Sequence, residues 1–175
     1  MLRVGHQTVY HLYNKVPDLC VFLSRSTPNY NIFGITESRL NSRISDQDIN
    51  IPNYCILRKD SLVIGQTGIA VHIHNSIADI TRRRQDLASD LVECIWLELK
   101  PSKSAPNIFV CILYRNPSAS YEWFDNFVQT LDNIRTVKPH ADIFVLGDFN
   151  IDLLKLHSSW DSTITLLGLT QLVNQ

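Results

Sequence analysis

Residues 141–150 read Ala141-Asp142-Ile143-Phe144-Val145-Leu146-Gly147-Asp148-Phe149-Asn150. Ile143 to Leu146 form a short unbroken apolar run, β-branched and aromatic in part, the pattern of a strand buried on both faces. Gly147 is read as stopping that run. Asp148 and Asn150 follow two residues apart, so in a chain still extended both side chains point to one side. A rigid strand that ends in a carboxylate and an amide is a way to build a site at the edge of a sheet. A strand followed by an ordinary turn fits the same letters, because Gly, Asp and Asn all form turns. The rest of the chain has to decide.

The design recurs twice. Tyr30 to Ile35 is a second apolar run, ending in Thr36-Glu37, and Ile108 to Leu113 is a third, ending in Tyr114-Arg115-Asn116-Pro117. Leu2 to Tyr10 alternates weakly and suggests a first strand. Leu19, Cys20, Phe22 and Leu23 then fall at helical spacing, with Pro17 early in the segment, where a helix's first turn tolerates it. A short helix up to Arg25 is expected. Leu40 to Asn53 is polar and aperiodic, the pattern of a surface loop. Tyr54 to Leu57 and Ile69 to Ile73 read as the arms of a long hairpin, with Gly65 and Gly68 bracketing its turn.

Arg82, Arg83 and Arg84 stand in a row within Asp79 to Asp90, and such a run is read as a solvated loop or helix face. Leu91 to Leu99 alternates, with Val92, Cys94, Trp96 and Glu98 on one face and Leu91, Glu93, Ile95, Leu97 and Leu99 on the other. Trp123, Phe124, Phe127, Val128, Leu131 and Ile134 follow the 3.6-residue period of an amphipathic helix that Pro139 closes. Their spacing favours helix core over a base-stacking platform. The tail has a candidate N-cap at Ser162 or Thr163 and helical apolar positions at Ile164, Leu167 and Leu169. Many strands, few helices and no repeat or linker argue one α/β domain of mixed sheets over residues 1–175.

Composition narrows the function. The 175 residues are 45% hydrophobic and 19% charged, with a net charge of −1, which describes a globular chain with no global attraction for nucleic acid. A polyanion would have to be held locally, by basic residues or a metal ion. The four cysteines show no C-x-x-C pairing, and Cys94 and Cys111 lie in apolar runs, so buried free thiols in a reducing compartment are expected. No apolar stretch approaches the roughly 18 residues of a membrane span, and the N-terminus lacks a signal-peptide layout. A nuclear or cytoplasmic protein without a membrane partner follows as the expectation.

Three strand ends therefore carry the chemistry: Glu37, Tyr114 with Arg115, and Asp148 with Asn150. A hard cation such as Mg²⁺ takes one or two carboxylates and fills its remaining positions with water and substrate phosphate. Tyr and Asn can hydrogen-bond phosphate oxygens, and a carboxylate beside phosphorus can orient and deprotonate a water. His72 and His74 share a strand face but have no Cys or carboxylate nearby in sequence, so core or solvent-facing histidines are expected there rather than a transition-metal site.

Together these pieces resemble the endonuclease/exonuclease/phosphatase superfamily, the fold of pancreatic deoxyribonuclease and the abasic-site endonucleases. The nearest likeness is to the endonuclease domain of non-LTR (LINE-like) retrotransposons. It rests on Asn14-Lys15-Val16, Ile35-Thr36-Glu37-Ser38, Arg58-Lys59-Asp60 leading into Gly68-Ile69-Ala70-Val71, Tyr114-Arg115-Asn116-Pro117 and, above all, Gly147-Asp148-Phe149-Asn150. The resemblance implies a four-layered α/β sandwich, two mixed β-sheets face to face with helices outside, and a site at one end. It implies Glu37 as ligand of Mg²⁺ or Mn²⁺, Asp148 on the attacking water, Asn150 and Tyr114 on the scissile phosphate, and Arg115 on the DNA backbone.

Thr8, in Gln7-Thr8-Val9-Tyr10, stands where the family pattern has an Asn. It can accept from a bound water but cannot supply an amide. Family members also continue to a strand carrying an Asp and to a Ser-Asp-His close. This chain ends at Gln175 before either, and none of its histidines, His157 included, stands in a matching motif. The expectation is a domain lacking its last strands, followed in a full-length element by a reverse transcriptase. Three functions stay open: a Mg²⁺-dependent nickase of DNA, a catalytically inactive remnant, and a phosphatase acting on small phosphate esters.

Overall fold

The computed structural model describes residues 1–61, 66–151 and 169–170. Within these, eight strands form two four-stranded sheets. The first sheet is ordered β1 (Val4–Thr8), β2 (Ile32–Thr36), β4 (Ile69–His74), β3 (Tyr54–Lys59), with β1 and β2 parallel and the β3–β4 hairpin antiparallel. The second is ordered β5 (Thr81–Arg83), β6 (Glu93–Leu99), β7 (Ile108–Tyr114), β8 (Asp142–Asp148). β7 and β8 are parallel, and α2 (Tyr121–Val137) lies between them in the chain. Helix α1 (Leu12–Arg25) likewise separates the parallel pair β1 and β2.

Side-chain parity divides the core into three slabs, which define four layers. Odd residues of β2, Phe33 and Ile35, pack with Leu12, Leu19 and Leu23 of α1. Even residues Ile32 of β2 and Ile108, Val110 and Ile112 of β7 meet Ile69, Val71, Ile95, Leu97 and Leu99 between the sheets. Cys94, Trp96, Phe109, Cys111 and Leu113 cover the outer face of the second sheet under Trp123, Phe127, Leu131 and Ile134 of α2. The order α1, sheet, sheet, α2 is the expected four-layered α/β sandwich. Gly34 lets the sheets close: a Cβ there would lie 2.5 Å from Ile112 Cδ1.

Several expectations change. β8 is not covered on both faces. It is the outer strand among the described residues, and Phe144 is 38% exposed. Gly147 does not end that strand but continues it, pairing with Leu113, because a glycine can sit where the β7 main chain comes too close for any side chain. The 40–53 segment has no regular structure, yet Leu40, Ile49 and Ile51 are buried against α1, so it forms part of the core and not a surface loop. Helix α1 begins at Leu12, placing Pro17 inside it rather than in its first turn.

The arginine run is solvated only in part: the Arg82 side chain is 68% exposed and that of Arg84 only 19%. Arg82 Nη2 and Arg84 Nη1 lie 2.6 and 2.7 Å from Glu98, which is only 3% exposed and would otherwise be an uncompensated buried charge. His72 is fully buried and His74 stacks edge-on to Tyr54, as core and surface residues. Cys94 and Cys111 are buried free thiols. Gly65 and the 162–167 part of the tail pattern lie outside the described residues. Among the described residues no helix is long and apolar enough to cross a membrane.

Candidate active site

The slab between the sheets is apolar along most of its length and turns polar at its last rung. β1 and β2 are parallel, and so are β7 and β8, so each sheet delivers two C-terminal strand ends. By register, Thr8 faces Thr36 in one sheet and Tyr114 faces Asp148 in the other. All four have the parity of the inner faces.

A line of hydrogen bonds crosses from sheet to sheet. Thr8 Oγ1 donates to Asp148 Oδ2 at 3.4 Å, Thr8 and Thr36 hydroxyls are 3.1 Å apart, and Thr36 Oγ1 is 3.0 Å from His6 Nε2. Each hydroxyl has one hydrogen, so the direction propagates. Thr8 gives its hydrogen to Asp148 and must accept from Thr36, and Thr36 must accept from His6. His6 is therefore the Nε2–H tautomer. Burial lowers its pKa to about 4, with the Asp148 charge opposing, so the ring is neutral at pH 7.

Asp148 is held at its second oxygen by the Asn150 backbone N–H, 3.1 Å away, while Arg115 N donates to the Asp148 carbonyl at 2.8 Å. Asn150 Nδ2 donates one hydrogen to the Arg115 carbonyl at 2.8 Å and keeps a second. Arg115 directs its guanidinium to the carbonyls of Phe149 and Ala119, at 3.5 and 3.3 Å, and over the Trp123 ring. The Tyr114 phenol is pushed up from its ordinary pKa by burial and by the charges of Glu37, Asp148 and Glu93, so it stays a donor. Glu93 joins this end of the slab by pairing opposite Tyr114 and accepting from Gly68 N at 2.7 Å.

Glu37 follows Thr36 directly. Its backbone is left-handed (φ 52°), and its Oε2 is buried with no hydrogen-bond partner. An orphaned carboxylate oxygen whose charge reaches the same phenol as Asp148 fits a hard cation that completes its sphere with water and phosphate. Among the described residues no group of three or more His, Cys, Asp or Glu could hold a metal alone. His11, Arg39 and Asn150 are left-handed as well, at φ 57°, 52° and 49°. Non-glycine residues held in this region cost of order 1–3 kcal/mol each and gather at functional sites.

No family profile matches the sequence, and no curated protein does. Solved structures do. The AP endonuclease LMAP from Leishmania major superposes with a TM-score of 0.70 at 16% identity over 86% of this chain and 55% of that one. The 3′ phosphatase NExo from Neisseria, bound to a product DNA hairpin, gives 0.68 at 15% identity over 95% and 71%. A mannosyl-6-phosphatase from Bacteroides thetaiotaomicron gives 0.62 at 14% identity over 95% and 71%. The chain has the endonuclease/exonuclease/phosphatase fold. It spans little more than half the length of the Leishmania enzyme.

Within that fold, Thr8, Glu37, Tyr114, Arg115, Asp148 and Asn150 all come to one end of the sandwich. Their strands are far apart in sequence, and two of the four lie in each sheet. Sequence reasoning missed His6, although it is two residues before Thr8 on one strand and so shares its face. It also missed Glu93, whose place at this end depends on the antiparallel register of β6 with β7.

Proposed function

We propose that this chain is a metal-dependent phosphodiesterase that nicks DNA, the endonuclease module of a non-LTR retrotransposon with a reverse transcriptase C-terminal to it in the full-length element. The single observation that carries the reading is the meeting of Asp148 and Tyr114 with the unpartnered, buried Glu37 Oε2. Glu37 would hold Mg²⁺ or Mn²⁺, which when bound supplies positive charge to the phosphoryl oxygens.

Asp148 orients a water for in-line attack and takes its proton. Hydrogen bonds from Thr8 and from Asn150 N to its two oxygens keep the carboxylate from rotating away. Tyr114 and the second hydrogen of Asn150 Nδ2 donate to the non-bridging oxygens. Thr8, lacking an amide, accepts from a water at the rim, and Arg115 braces the segment after β8 that carries Asn150 against the one leading into α2.

Plasmid nicking with Mg²⁺ tests this. The wild type converts supercoiled to open-circular plasmid, and Asp148→Ala slows the conversion at least about 100-fold, the scale of a lost general base. Equal rates for the two proteins overturn catalysis by this site. The shared fold of a mannosyl-6-phosphatase favours a second reading, a phosphatase on small esters. Phosphate release from sugar phosphates that outpaces nicking would decide for it.

A further inference from the structure

We propose that Tyr10 and Arg39 form a phosphate-backbone contact for nucleic acid at the rim of the site, an inference that rests on the DNA reading above. With a net charge of −1 the chain draws no polyanion from a distance, so the backbone has to be held by particular cations near the carboxylates. Most guanidiniums whose surroundings are described are already engaged. Arg58 pairs with Asp60, Arg82 with Glu98 and Arg84 with Asp86 and Glu98. Arg115, which follows the Tyr114 that pairs with Asp148, directs its guanidinium to backbone carbonyls.

Arg39 differs. It has no carboxylate partner among the described residues, although Glu37 is two positions away. Its guanidinium carbon lies 4.1 Å over the Tyr10 ring, one Nη is 3.3 Å from His11 Nε2, and its Nε is buried without a partner. The left-handed backbone at Arg39 (φ 52°) is pinned by a 2.8 Å bond from its N–H to the Thr67 carbonyl, so the side chain is aimed rather than free. Tyr10 follows Thr8 by two residues, is 59% exposed, and lies within electrostatic range of the Tyr114 phenol. The pair thus flanks both Glu37 and Tyr114. A guanidinium stacked on an aromatic ring is pre-organised and weakly hydrated, and its fork matches a phosphate.

The alternative is that Arg39 merely clasps its loop to the start of α1. Removing it would then lower stability and leave the salt dependence of binding alone. Fluorescence anisotropy of the full chain with a labelled duplex of about 20 base pairs, in EDTA across roughly 50–200 mM KCl, separates the two. Arg39→Gln is expected to reduce the slope of log K against log salt by about 1. Arg25→Gln, which removes an exposed cation from the end of α1, leaves the slope unchanged.

Tyr10→Ala weakens binding several-fold, and Tyr10→Phe does not. Arg39→Lys keeps the charge and the slope but binds several-fold more weakly, because an ammonium neither stacks nor forks. It also serves if Arg39→Gln does not fold, since wild-type affinity in Arg39→Lys overturns the proposal. A wild-type slope in folded Arg39→Gln overturns this inference alone. Absence of duplex binding by the wild type overturns it together with the DNA reading.

Discussion

Thr8 Oγ1 donates to Asp148 Oδ2 across 3.4 Å, a hydrogen bond that ties β1 of the first sheet to β8 of the second at the end where both run out. Replacing Thr8 with the isosteric Val removes the donor while keeping the shape. Asp148 then loses one of its two restraints, and Thr36 loses its acceptor. Thr8→Val should cost about 1 kcal/mol in urea denaturation, the usual worth of a hydrogen bond. Nicking per folded molecule should fall roughly tenfold, a modest loss of positioning. Thr8→Ser keeps the hydroxyl and should stay within about twofold of wild type. If Thr8→Val nicks as fast as wild type, Asp148 does not depend on that bond.

Two histidines, His72 buried and His6 partly so, set an acid limit on stability. Burial lowers both His6 and His72 from 6.5 to about 4, the Asp148 charge opposing at His6. Their folded pKa lies below the unfolded one, so the unfolded chain binds more protons between the two values. Stability is therefore full above pH 6.5, falls as pH drops toward 4, and levels off below. The slope is up to about 1.4 kcal/mol per pH unit for each group. Thermal melts from pH 7.5 to 4 should show the midpoint falling through that window, and His72→Leu should flatten the fall. A midpoint constant down to pH 4.5 would mean neither ring is held neutral.

Much of this was legible where a strand meets apolar layers on both sides. Period-two alternation separated Cys94 and Trp96 from Ile95 and Leu97, and the 3.6 period found the buried face of α2. The polar residues ending three strands pointed to the site for the same reason, since a sandwich's slab can turn polar only where it reaches water. What failed to show was long-range. Leu40, Ile49 and Ile51 read as loop because the helix that buries them is elsewhere in the sequence. The arginine run read as solvated because its partner Glu98 lies 14 to 16 residues further on. Gly147 read as a stop because a close main-chain approach leaves no mark in composition.

Glu98 offers a test of how independent the two ends of the sandwich are. It pairs opposite Phe109 near the start of β7, the end away from Tyr114, and accepts from Arg82, Arg84 and Asn107. The arginines and Asn107 hold its pKa below the ordinary value against the opposing effect of burial. Glu98→Gln removes the charge that Arg82 and Arg84 share and leaves Arg84 with Asp86 alone. A loss of about 3 kcal/mol is expected, the low side for breaking a buried pair because Arg82 is largely exposed. Nicking per folded molecule should not change. A selective loss of activity with stability intact would show coupling along β7 that the packing does not predict.

Gly147 should be the least replaceable residue outside the site itself. It pairs with Leu113 at φ 154°, and a Cβ there would stand 1.9 Å from the Leu113 carbonyl oxygen. The obstacle is main chain, so no rotamer change relieves it. Gly147→Ala has to push β8 away from β7 one residue before Asp148, which parts Asp148 from Tyr114 and breaks the bond from Arg115 N to the Asp148 carbonyl. We expect a loss of about 3 kcal/mol or more, the upper range for overpacking, and nicking as low as in Asp148→Ala for whatever fraction folds. Leu113→Ala should not rescue it, because shortening that side chain leaves the carbonyl where it is. Recovery of activity in the Gly147→Ala/Leu113→Ala double variant would show that side-chain packing, and not the close approach of two backbones, makes this position a glycine.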